Sequence, residues 1–312
     1  MVNIGVALTD AIADSGGNTV DETVRLVRQA AGAGLRSAWL GQRLDFDSVA
    51  LAGIAAREVP GIALGTSAVP IFARHPILVS SQAQTSQAAS HGRYTLGLAL
   101  GSKAMTETAF GVPYDRPIAR LREFLTALRG LLAAGTAEFR GEILTAVTPT
   151  SAAVAGATPP VPVLVAAMGP QALRATGELA DGTLPLFVTP KVLAGHIVPP
   201  IADAAARAGR GAPRIAVLVP GLVTRDVAAA RAAAVTATAF YDRVPSYQRV
   251  TALAGVSRAA ELVTLGDEQA IATSVRSYFD AGATEVIFTQ TNLLGEEARL
   301  HTWRLLGELA RS

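Results

Sequence analysis

Small polar residues, rather than acids or bases, follow the apolar segments that this sequence predicts to be β-strands. In a parallel α/β fold the functional groups come from the carboxyl ends of the strands, so these positions are where chemistry is expected. They are Thr9 and Asp10, Gly41 to Arg43, Thr66 to Ala68, Gly101 to Lys103, Met168 to Gln171, Thr189, Thr289 and Gln290. Such a set favours a protein that leaves the difficult chemistry to an organic cofactor and supplies shape and hydrogen bonds.

The sequence lacks the residues that several classes of enzyme need for catalysis. None of the four histidines, His75, His91, His196 and His301, falls at a predicted strand end, and no two have the spacing of metal ligands on one helix face. Asp10 is the one acidic residue near a predicted strand end, whereas a glycosidase needs two converging carboxyl groups. No G-x-S-x-G motif is present for acyl transfer. We therefore expect no metal site and no hydrolase.

The segment PVPVLVAAMGPQALRATGELADG, residues 160–182, is the best candidate for binding a phosphate. A buried strand runs into Gly169, and Pro170 opens a helix. The free N–H groups of Gly169, Gln171 and Ala172 would face an anion, with the helix dipole behind them. An ordinary tight turn between a strand and a helix explains the same residues, so both interpretations stay open.

Four residues are candidates for catalysis or for anion contact, namely Gln42, Arg43, Ser102 and Lys103. Gly101 permits close backbone approach, Ser102 adds a hydrogen-bond donor, and Lys103 adds a positive charge. A loop with a solvated lysine, and a surface arginine after the second strand, are the alternatives. Trp39 is expected in the core or in a subunit contact, and His75 at the start of a helix.

Short apolar segments alternate with longer segments of helical period along the chain. The predicted strands are Asn3–Leu8, Ser37–Leu40, Ile62–Val69, Tyr94–Leu100, Val163–Ala167, Gly182–Phe187, Arg214–Val219 and Thr284–Phe288. The predicted helices are Val20–Ala33, Ser48–Arg57, Pro76–Ser90, Pro117–Ala134, Pro170–Ala180, Val192–Ala208, Asp226–Phe240, Asp267–Ala281 and Glu296–Ala310.

Eight strand-then-helix pairs favour an α/β fold of the (β/α)8 TIM barrel type, as one domain over residues 1–312. An open doubly wound sheet is the alternative, but the residues after the first strand lack its G-x-G-x-x-G fingerprint. Two insertions interrupt the alternation. Residues 135–161 predict a hairpin and a loop, and residues 241–266 predict extra helical segments. Both are longer than ordinary connections, which is typical of lids or subunit contacts.

The composition of the chain indicates which kinds of partner and which cellular location to expect. The 312 residues carry a net charge of +2 and no cysteine, so neither a nucleic-acid partner nor a thiolate site is expected. The longest uncharged stretch is interrupted by prolines, so no membrane span is expected. The first residues do not have the pattern of a secretory signal. We expect a cytoplasmic protein that acts on a small molecule.

The stretch LGTSAVPIFARHPILVSSQAQTSQAASHGRYTLGLALG resembles the most recognisable block of the luciferase-like flavin and deazaflavin oxidoreductases. AGAGLRSAWL before it and FGVPYDRPIARLREFLTALRGLL after it fit the same family, and PVLVAAMGPQALRATGELADGTLPLF is similar to its second signature. The resemblance spans residues 3 to about 290. It is strongest to the branch that uses the deazaflavin coenzyme F420 and resembles methylene-tetrahydromethanopterin reductase.

The resemblance implies a luciferase-like barrel, a homodimer, and a cofactor ring in the mouth of the barrel. It implies a non-proline cis peptide bond at Ser67–Ala68, behind that ring. It also implies cofactor contacts at Ser67, Ala68, Gly101, Ser102, Ala167, Met168, Gly169, Pro170 and Gln171. The chain departs from the family at two places. Gln42-Arg43 stand where relatives often have an acidic residue or a histidine, and Gly101-Ser102 where they often have Ser-His. The resemblance therefore assigns no general acid.

The function expected from this sequence is hydride transfer between coenzyme F420 and a small organic substrate, with the proton coming from water or Lys103. Two alternatives remain open. The first is an FMN-dependent two-component monooxygenase on the same fold. The second is a non-catalytic protein that binds a deazaflavin or a flavin.

Overall fold

Strands and helices alternate along the chain in the order of a (β/α)8 barrel, which confirms the predicted fold class. The structure, a computed structural model, describes residues 2–13 and 16–312. The strands are β1 Ile4–Ala7, β2 Ser37–Leu40, β3 Ala63–Thr66, β4 Val69–Pro70, β5 Tyr94–Ala99, β6 Glu138–Arg140, β7 Thr145–Val147, β8 Val163–Val165, β9 Gly182–Thr183, β10 Arg214–Val223, β11 Thr264–Gly266 and β12 Glu285–Thr289.

The helices surround these strands in sequence. They are α1 Thr9–Ala13, α2 Thr19–Ala33, α3 Ser48–Glu58, α4 Pro76–Ala89, α5 Lys103–Phe110, α6 Pro117–Ala134, α7 Pro170–Leu179, α8 Pro190–Val192, α9 Val198–Arg207, α10 Val227–Thr238, α11 Pro245–Ala254, α12 Glu268–Asp280 and α13 Glu296–Arg311. A π-helical turn, Leu193–Ile197, joins α8 to α9, and 3-10 turns span Tyr241–Arg243 and Ala259–Leu262. Within the described residues, no helix is long and apolar enough to cross a membrane.

The described chain divides into two compact units. The first unit contains residues 1–39, 183–200 and 214–312, and the second contains residues 40–182 and 201–213. The prediction of a single domain is not tested by this division and stays a prediction.

The first unit is built on parallel strands whose residues are buried on both faces. β12 pairs with β1 on one side and with β10 on the other, and β1 pairs in turn with β2. All five residues of β12 are buried, as are nine of the ten residues of β10. Parallel strands with both faces covered have this continuous apolar pattern.

A buried carboxylate lies among the first residues of these strands. Glu285, 1% exposed, accepts hydrogen bonds from the Ser37 hydroxyl (2.5 Å) and from the Trp39 indole N–H (3.0 Å). Arg214 pairs with its other oxygen at 3.2 Å. Burying a charge is tolerated only with such partners. Trp39 is therefore a core residue, one of the two environments expected for it.

The second unit is built on β5, which pairs in parallel with β3 and β4 on one edge and with β8 on the other. The predicted strand Ile62–Val69 is instead two strands, β3 and β4, because the chain turns between them at residues 67 and 68. Helix α4 begins at Pro76, as predicted, and its end is followed by Gly92 in the left-handed conformation (φ 84°).

Both predicted insertions have the expected structure, with one addition. Residues 135–161 contain the antiparallel hairpin of β6 and β7. Residues 241–266 are largely helical but end in β11, which pairs with the last residues of β10. The predicted strand Gly182–Phe187 is shorter, with β9 followed by a single bridge from Leu186 to Leu218.

Gly307 permits α13 to pack directly against the end of α2. A Cβ atom at Gly307 would overlap the carbonyl group of Ala33 and would lie 3.3 Å from the Cα of Gly34. Gly32, also helical, has no atom within 4 Å of the Cβ it would gain. Two glycines in helices of the first unit thus differ only in their surroundings.

We expect opposite effects of Gly→Ala at these two glycines. Gly307→Ala should lower the free energy of unfolding by about 1–3 kcal/mol, because backbone must move to admit the methyl group. Gly32→Ala should raise it by up to about 1 kcal/mol, because alanine favours helix. Urea unfolding of both variants and the parent measures the difference. Equal effects of the two substitutions would show that α13 does not pack against α2 in this way.

Candidate active site

The residues predicted to contact a cofactor all lie in the second unit, where strands end. Ser67 and Ala68 follow β3, Gly101 and Ser102 follow β5, and residues 167–171 follow β8. Gln42, Arg43 and Lys103 belong to the same unit. The strand pairing of β3, β4 and β8 with β5 therefore sets the spacing of these segments.

The peptide bond between Ser67 and Ala68 is cis, as the family resemblance implies. The chain is held on both sides of this bond. The Ser67 N–H donates to the Leu40 carbonyl at 2.8 Å. The Thr66 hydroxyl, fully buried, donates to the Gly97 carbonyl at 3.0 Å and accepts from the Gly97 N–H at 2.9 Å. β4 then pairs Val69 with Leu98. The cis bond is thus fixed against β5.

The segment after β5 is a turn followed by a helix. Gly101 has φ of 76°, a conformation that a residue with a Cβ atom rarely adopts. Ser102 caps α5, since its hydroxyl oxygen accepts from the Met105 N–H at 3.2 Å. Lys103 is the first helical residue and is exposed. The sequence pattern indicates a loop here and predicts no helix. Helix α5 has no apolar face to detect, because seven of its eight residues are exposed.

Tyr114 supports the Gly101 turn, and the sequence did not identify it. Its hydroxyl donates to the Gly101 carbonyl at 3.3 Å. Its ring stacks on Phe72 with centroids 4.5 Å apart, and the Arg120 guanidinium lies 4.9 Å from the Phe72 centroid. Burial raises the pKa of the Tyr114 phenol, so the hydroxyl stays a donor across the physiological range. No sequence signal joins positions 101 and 114, because the contact is made across α5, a helix that the sequence did not predict.

The segment after β8 presents backbone N–H groups without a side-chain cap. Gly169 is the N-cap of α7, Pro170 is its first residue, and no side chain caps this end. The Ala166 N–H donates to the Leu98 carbonyl at 2.7 Å, which places the turn beside β5. A Cβ atom added at Gly169 would meet nothing within 4 Å, so the space before the helix is open. The first N–H groups of a helix have no intrahelical acceptor and attract anions.

Gln42 and Arg43 are engaged within their own loop. The Gln42 amide donates to the carbonyls of Arg43 (2.7 Å) and Phe46 (2.6 Å), and its oxygen accepts from the Ser48 hydroxyl (3.0 Å). Arg43 pairs with Asp45 at 2.9 Å and lowers the pKa of that carboxyl group through the hydrogen bond between them. Their catalytic assignment stays a prediction, and these contacts give Gln42 the additional task of shaping the loop.

His75 begins a helix, as expected. Its Nδ1 accepts from the Ile77 N–H at 3.3 Å, and its Nε2 lies 2.8 Å from the Thr145 carbonyl oxygen. It therefore ties α4 to the hairpin of residues 138–147. Among the described residues, no three His, Asp or Glu side chains are grouped so that they could hold a metal ion.

Taken together, the site offers uncapped amides at α7, a glycine turn and a serine hydroxyl at α5, and a cis peptide between β3 and β4. Amides at a helix start suit a phosphate, and small residues leave room for a planar ring. Both coenzyme F420 and FMN combine a phosphate with a tricyclic ring, so the residues present fit either group. The arrangement does not distinguish the two.

Comparison with known proteins agrees with this geometry. The model of the family described as luciferase-like monooxygenase matches residues 2–285. A protein of Mycobacterium tuberculosis with no assigned function is 35% identical over 210 residues, 63% of this chain and 62% of that protein. The 5,10-methylenetetrahydromethanopterin reductase of Methanolobus tindarius is 30% identical over 189 residues, 60% of this chain and 56% of that enzyme. The chain thus matches less than two thirds of the length of these relatives.

Solved structures of the same fold are similar over nearly their whole length. An F420-dependent secondary alcohol dehydrogenase, solved with an F420–acetone adduct, has a TM-score of 0.82 at 16% identity, covering 100% of this chain and 99% of that one. The oxygenating constituent of 3,6-diketocamphane monooxygenase from Pseudomonas putida, solved with FMN, has a TM-score of 0.79 at 15% identity, covering 99% and 98%. These likenesses show the fold. Since the family model spans most of the sequence, the chain belongs to the luciferase-like monooxygenase family.

Proposed function

We propose that this protein is an oxidoreductase that transfers hydride between coenzyme F420 and a small organic substrate. The observation that carries the proposal is the uncapped start of α7 behind Gly169, beside the glycine turn that follows β5. A relative and two structural neighbours named for coenzyme F420 support the choice of cofactor. The scarcity of acids and bases at these strand ends supports cofactor chemistry over direct acid–base catalysis.

The cofactor phosphate would be held by the start of α7. The N–H groups of Gly169, Gln171 and Ala172 would donate to it, and the helix dipole favours its negative charge. Arg174, whose Nε lies 3.4 Å from the Pro170 carbonyl oxygen, adds a positive charge within the first turns of the helix. Pro170 has no N–H to offer, but it fixes the backbone for the helix start.

The ring would lie against the cis peptide of Ser67 and Ala68, with Gly101 and Ser102 alongside. Reduced F420, when bound, supplies a hydride, and a proton must reach the acceptor from another source. The Ser102 oxygen accepts from Met105, which leaves its O–H free to donate to a ligand. Lys103, exposed at the start of α5, remains our candidate for the proton or for an ion pair with the cofactor.

An FMN-dependent monooxygenase is the second candidate. The family description and an FMN-bound structural neighbour favour it, and a phosphate site at α7 serves FMN equally well. The two candidates differ in what accepts electrons, an organic substrate in the first and molecular oxygen in the second.

Titration of the purified chain with F420 and, separately, with FMN distinguishes them. We expect F420 to bind with a dissociation constant in the micromolar range or below, as measured by fluorescence. We also expect no oxygen consumption when the bound cofactor is reduced. A preference for FMN with oxygen uptake would move the protein to the monooxygenase class. Tight F420 binding with no turnover over a broad panel of carbonyl and alkene substrates would indicate a binding protein without catalysis.

Substitution of Gly169 tests the phosphate site directly. Gly169 has φ of −88° and ψ of 149°, ordinary extended values that aspartate and asparagine both adopt. Either residue should cap α7 and keep or raise stability by a few tenths of a kcal/mol. Gly169→Asp also places a carboxylate against the phosphate, so we expect F420 affinity to fall at least about tenfold, or about 1.4 kcal/mol.

Gly169→Asn is the matched control, since it has the shape of aspartate without the charge. Its F420 affinity should fall less than that of Gly169→Asp, and the gap between the two should narrow as salt is added. Gly211→Ala, at another glycine of the second unit with no atom within 4 Å of the added Cβ, should change neither stability nor affinity. Equal F420 affinities of the aspartate and asparagine variants would place the phosphate elsewhere.

We also propose that the protein is cytoplasmic and works as a homodimer. The family resemblance supports the dimer, and the composition of the chain supports the location. Light scattering coupled to gel filtration should give twice the 32.1 kDa mass of one chain. A single peak at the mass of one chain over micromolar concentrations would contradict the homodimer.

A further inference from the structure

Two tyrosines of the first unit, Tyr241 and Tyr247, differ from the other three tyrosines in how their hydroxyl groups are used. The chain has five tyrosines, and three have hydrogen-bonded hydroxyls. Tyr278 donates to the Val188 carbonyl at 2.8 Å, Tyr114 donates to Gly101, and Tyr94 lies 3.4 Å from the Thr66 hydroxyl. Among the described residues, the hydroxyls of Tyr241 and Tyr247 have no hydrogen-bond partner. Both side chains are only half-buried, so their hydroxyls are accessible and can donate to a ligand.

The two phenol rings and a phenylalanine form one cluster, which we call the tyrosine cluster: Phe187, Tyr241 and Tyr247. The ring centroids of Tyr241 and Tyr247 are 4.9 Å apart, and those of Phe187 and Tyr241 are 4.8 Å apart. All three pairs meet edge to face. Phe187 is 1% exposed, whereas both tyrosines are half-buried. Phe187 is therefore the buried member of the cluster, and the two phenol rings form its accessible side.

Burial raises the pKa of both phenols. Tyr247 rises to about 12 for this reason alone. The pKa of Tyr241 is raised by burial first, then by Tyr247 and by the negative charge of Asp10. Both hydroxyls are consequently protonated at physiological pH and act as donors.

Asp10 is held by a residue with an unusual backbone. The Gln290 amide donates to Asp10 Oδ2 at 3.0 Å, and Gln290 is 6% exposed. The Gln290 side-chain oxygen is buried and has no partner among the described residues. Gln290 follows β12 with φ of 53°, and Phe187 follows the Leu186 bridge with φ of 59°. Left-handed conformations of non-glycine residues are uncommon and concentrate at functional sites.

We propose that the tyrosine cluster, with Asp10 and Gln290, is a binding site for a neutral carbonyl compound with a flat apolar body. The rings supply the apolar wall, and the Tyr241 and Tyr247 hydroxyls donate to the carbonyl oxygen of the ligand. The charge of Asp10 disfavours a carboxylate in the same place, because like charges repel at short range. The proposal concerns the first unit and needs no bound cofactor.

A push–pull ketone tests the proposal on the full chain without cofactor. The probe is 4-(dimethylamino)benzylideneacetone, whose absorption band moves to longer wavelength when its carbonyl oxygen accepts hydrogen bonds. We expect saturable binding with a red shift. Tyr241→Phe and Tyr247→Phe should each weaken binding about three- to tenfold and reduce the shift, as the loss of one donor implies. Their melting temperatures should equal or exceed that of the parent.

Tyr278→Phe is the matched control. It also removes one hydroxyl, but one that the protein itself uses, so it should lower the melting temperature and leave probe affinity unchanged. A second probe, 4-(dimethylamino)cinnamic acid, has a similar body with a carboxylate. The parent should bind it weakly, and Asp10→Asn should bind it more tightly.

Three results would overturn the proposal. They are the absence of any saturable shift, a shift that both Phe variants retain at parental affinity, and binding of the acid as tight as that of the ketone. Because none of these measurements involves F420 or FMN, the site can fail while the proposed function stands, and the reverse also holds.

Discussion

Backbone pairing on the last three residues of β5 is the constraint on which the proposed cofactor site depends. The Thr66 hydroxyl hydrogen-bonds to both the N–H and the carbonyl of Gly97. Leu98 pairs with Val69 on one side and with Val165 on the other. The Ala99 carbonyl accepts a hydrogen bond from the Ile71 N–H. The ends of β3, β4 and β8 are therefore spaced by one strand. A shift of register on β5 would move the cis peptide and the start of α7 relative to the Gly101 turn.

This constraint explains why the site is made of backbone and small side chains. Peptide groups take their positions from strand pairing and helix starts, so they need no side-chain order to be placed. Two polar side chains are present, those of Ser102 and Gln42. Both form hydrogen bonds to nearby residues of their own loop or helix. Such a frame is suited to a cofactor that brings its own reactivity.

The sequence predicted those parts of the site that are local in the chain. Gly169-Pro170 is a helix start by its chemistry alone, and His75-Pro76 is another. The cis bond at Ser67–Ala68 followed from resemblance, since no residue preference marks it. Contacts between distant positions escaped prediction. Tyr114 contacts Gly101 from the far end of α5. β11 is a strand because it pairs with the last residues of β10, which are distant in the sequence.

The same limit applies to the first unit. Residues 241–266 were expected to be helical, but nothing in that segment shows that Tyr241 and Tyr247 meet Phe187, more than fifty residues earlier. Asp10 and Gln290 were both noted at strand ends, yet their hydrogen bond joins the two ends of the chain. To predict which distant residues meet in space, one must know how the strands are ordered in the sheet. The sequence predicts the fold class but not the individual contacts.

A crystal structure of the chain with F420 bound tests the central claim most directly. The account predicts the cofactor phosphate within hydrogen-bond distance of the N–H groups of Gly169, Gln171 and Ala172, and the ring against Ser67 and Ala68. A phosphate bound away from the start of α7, or a ring that does not touch the Ser67–Ala68 peptide, would contradict it.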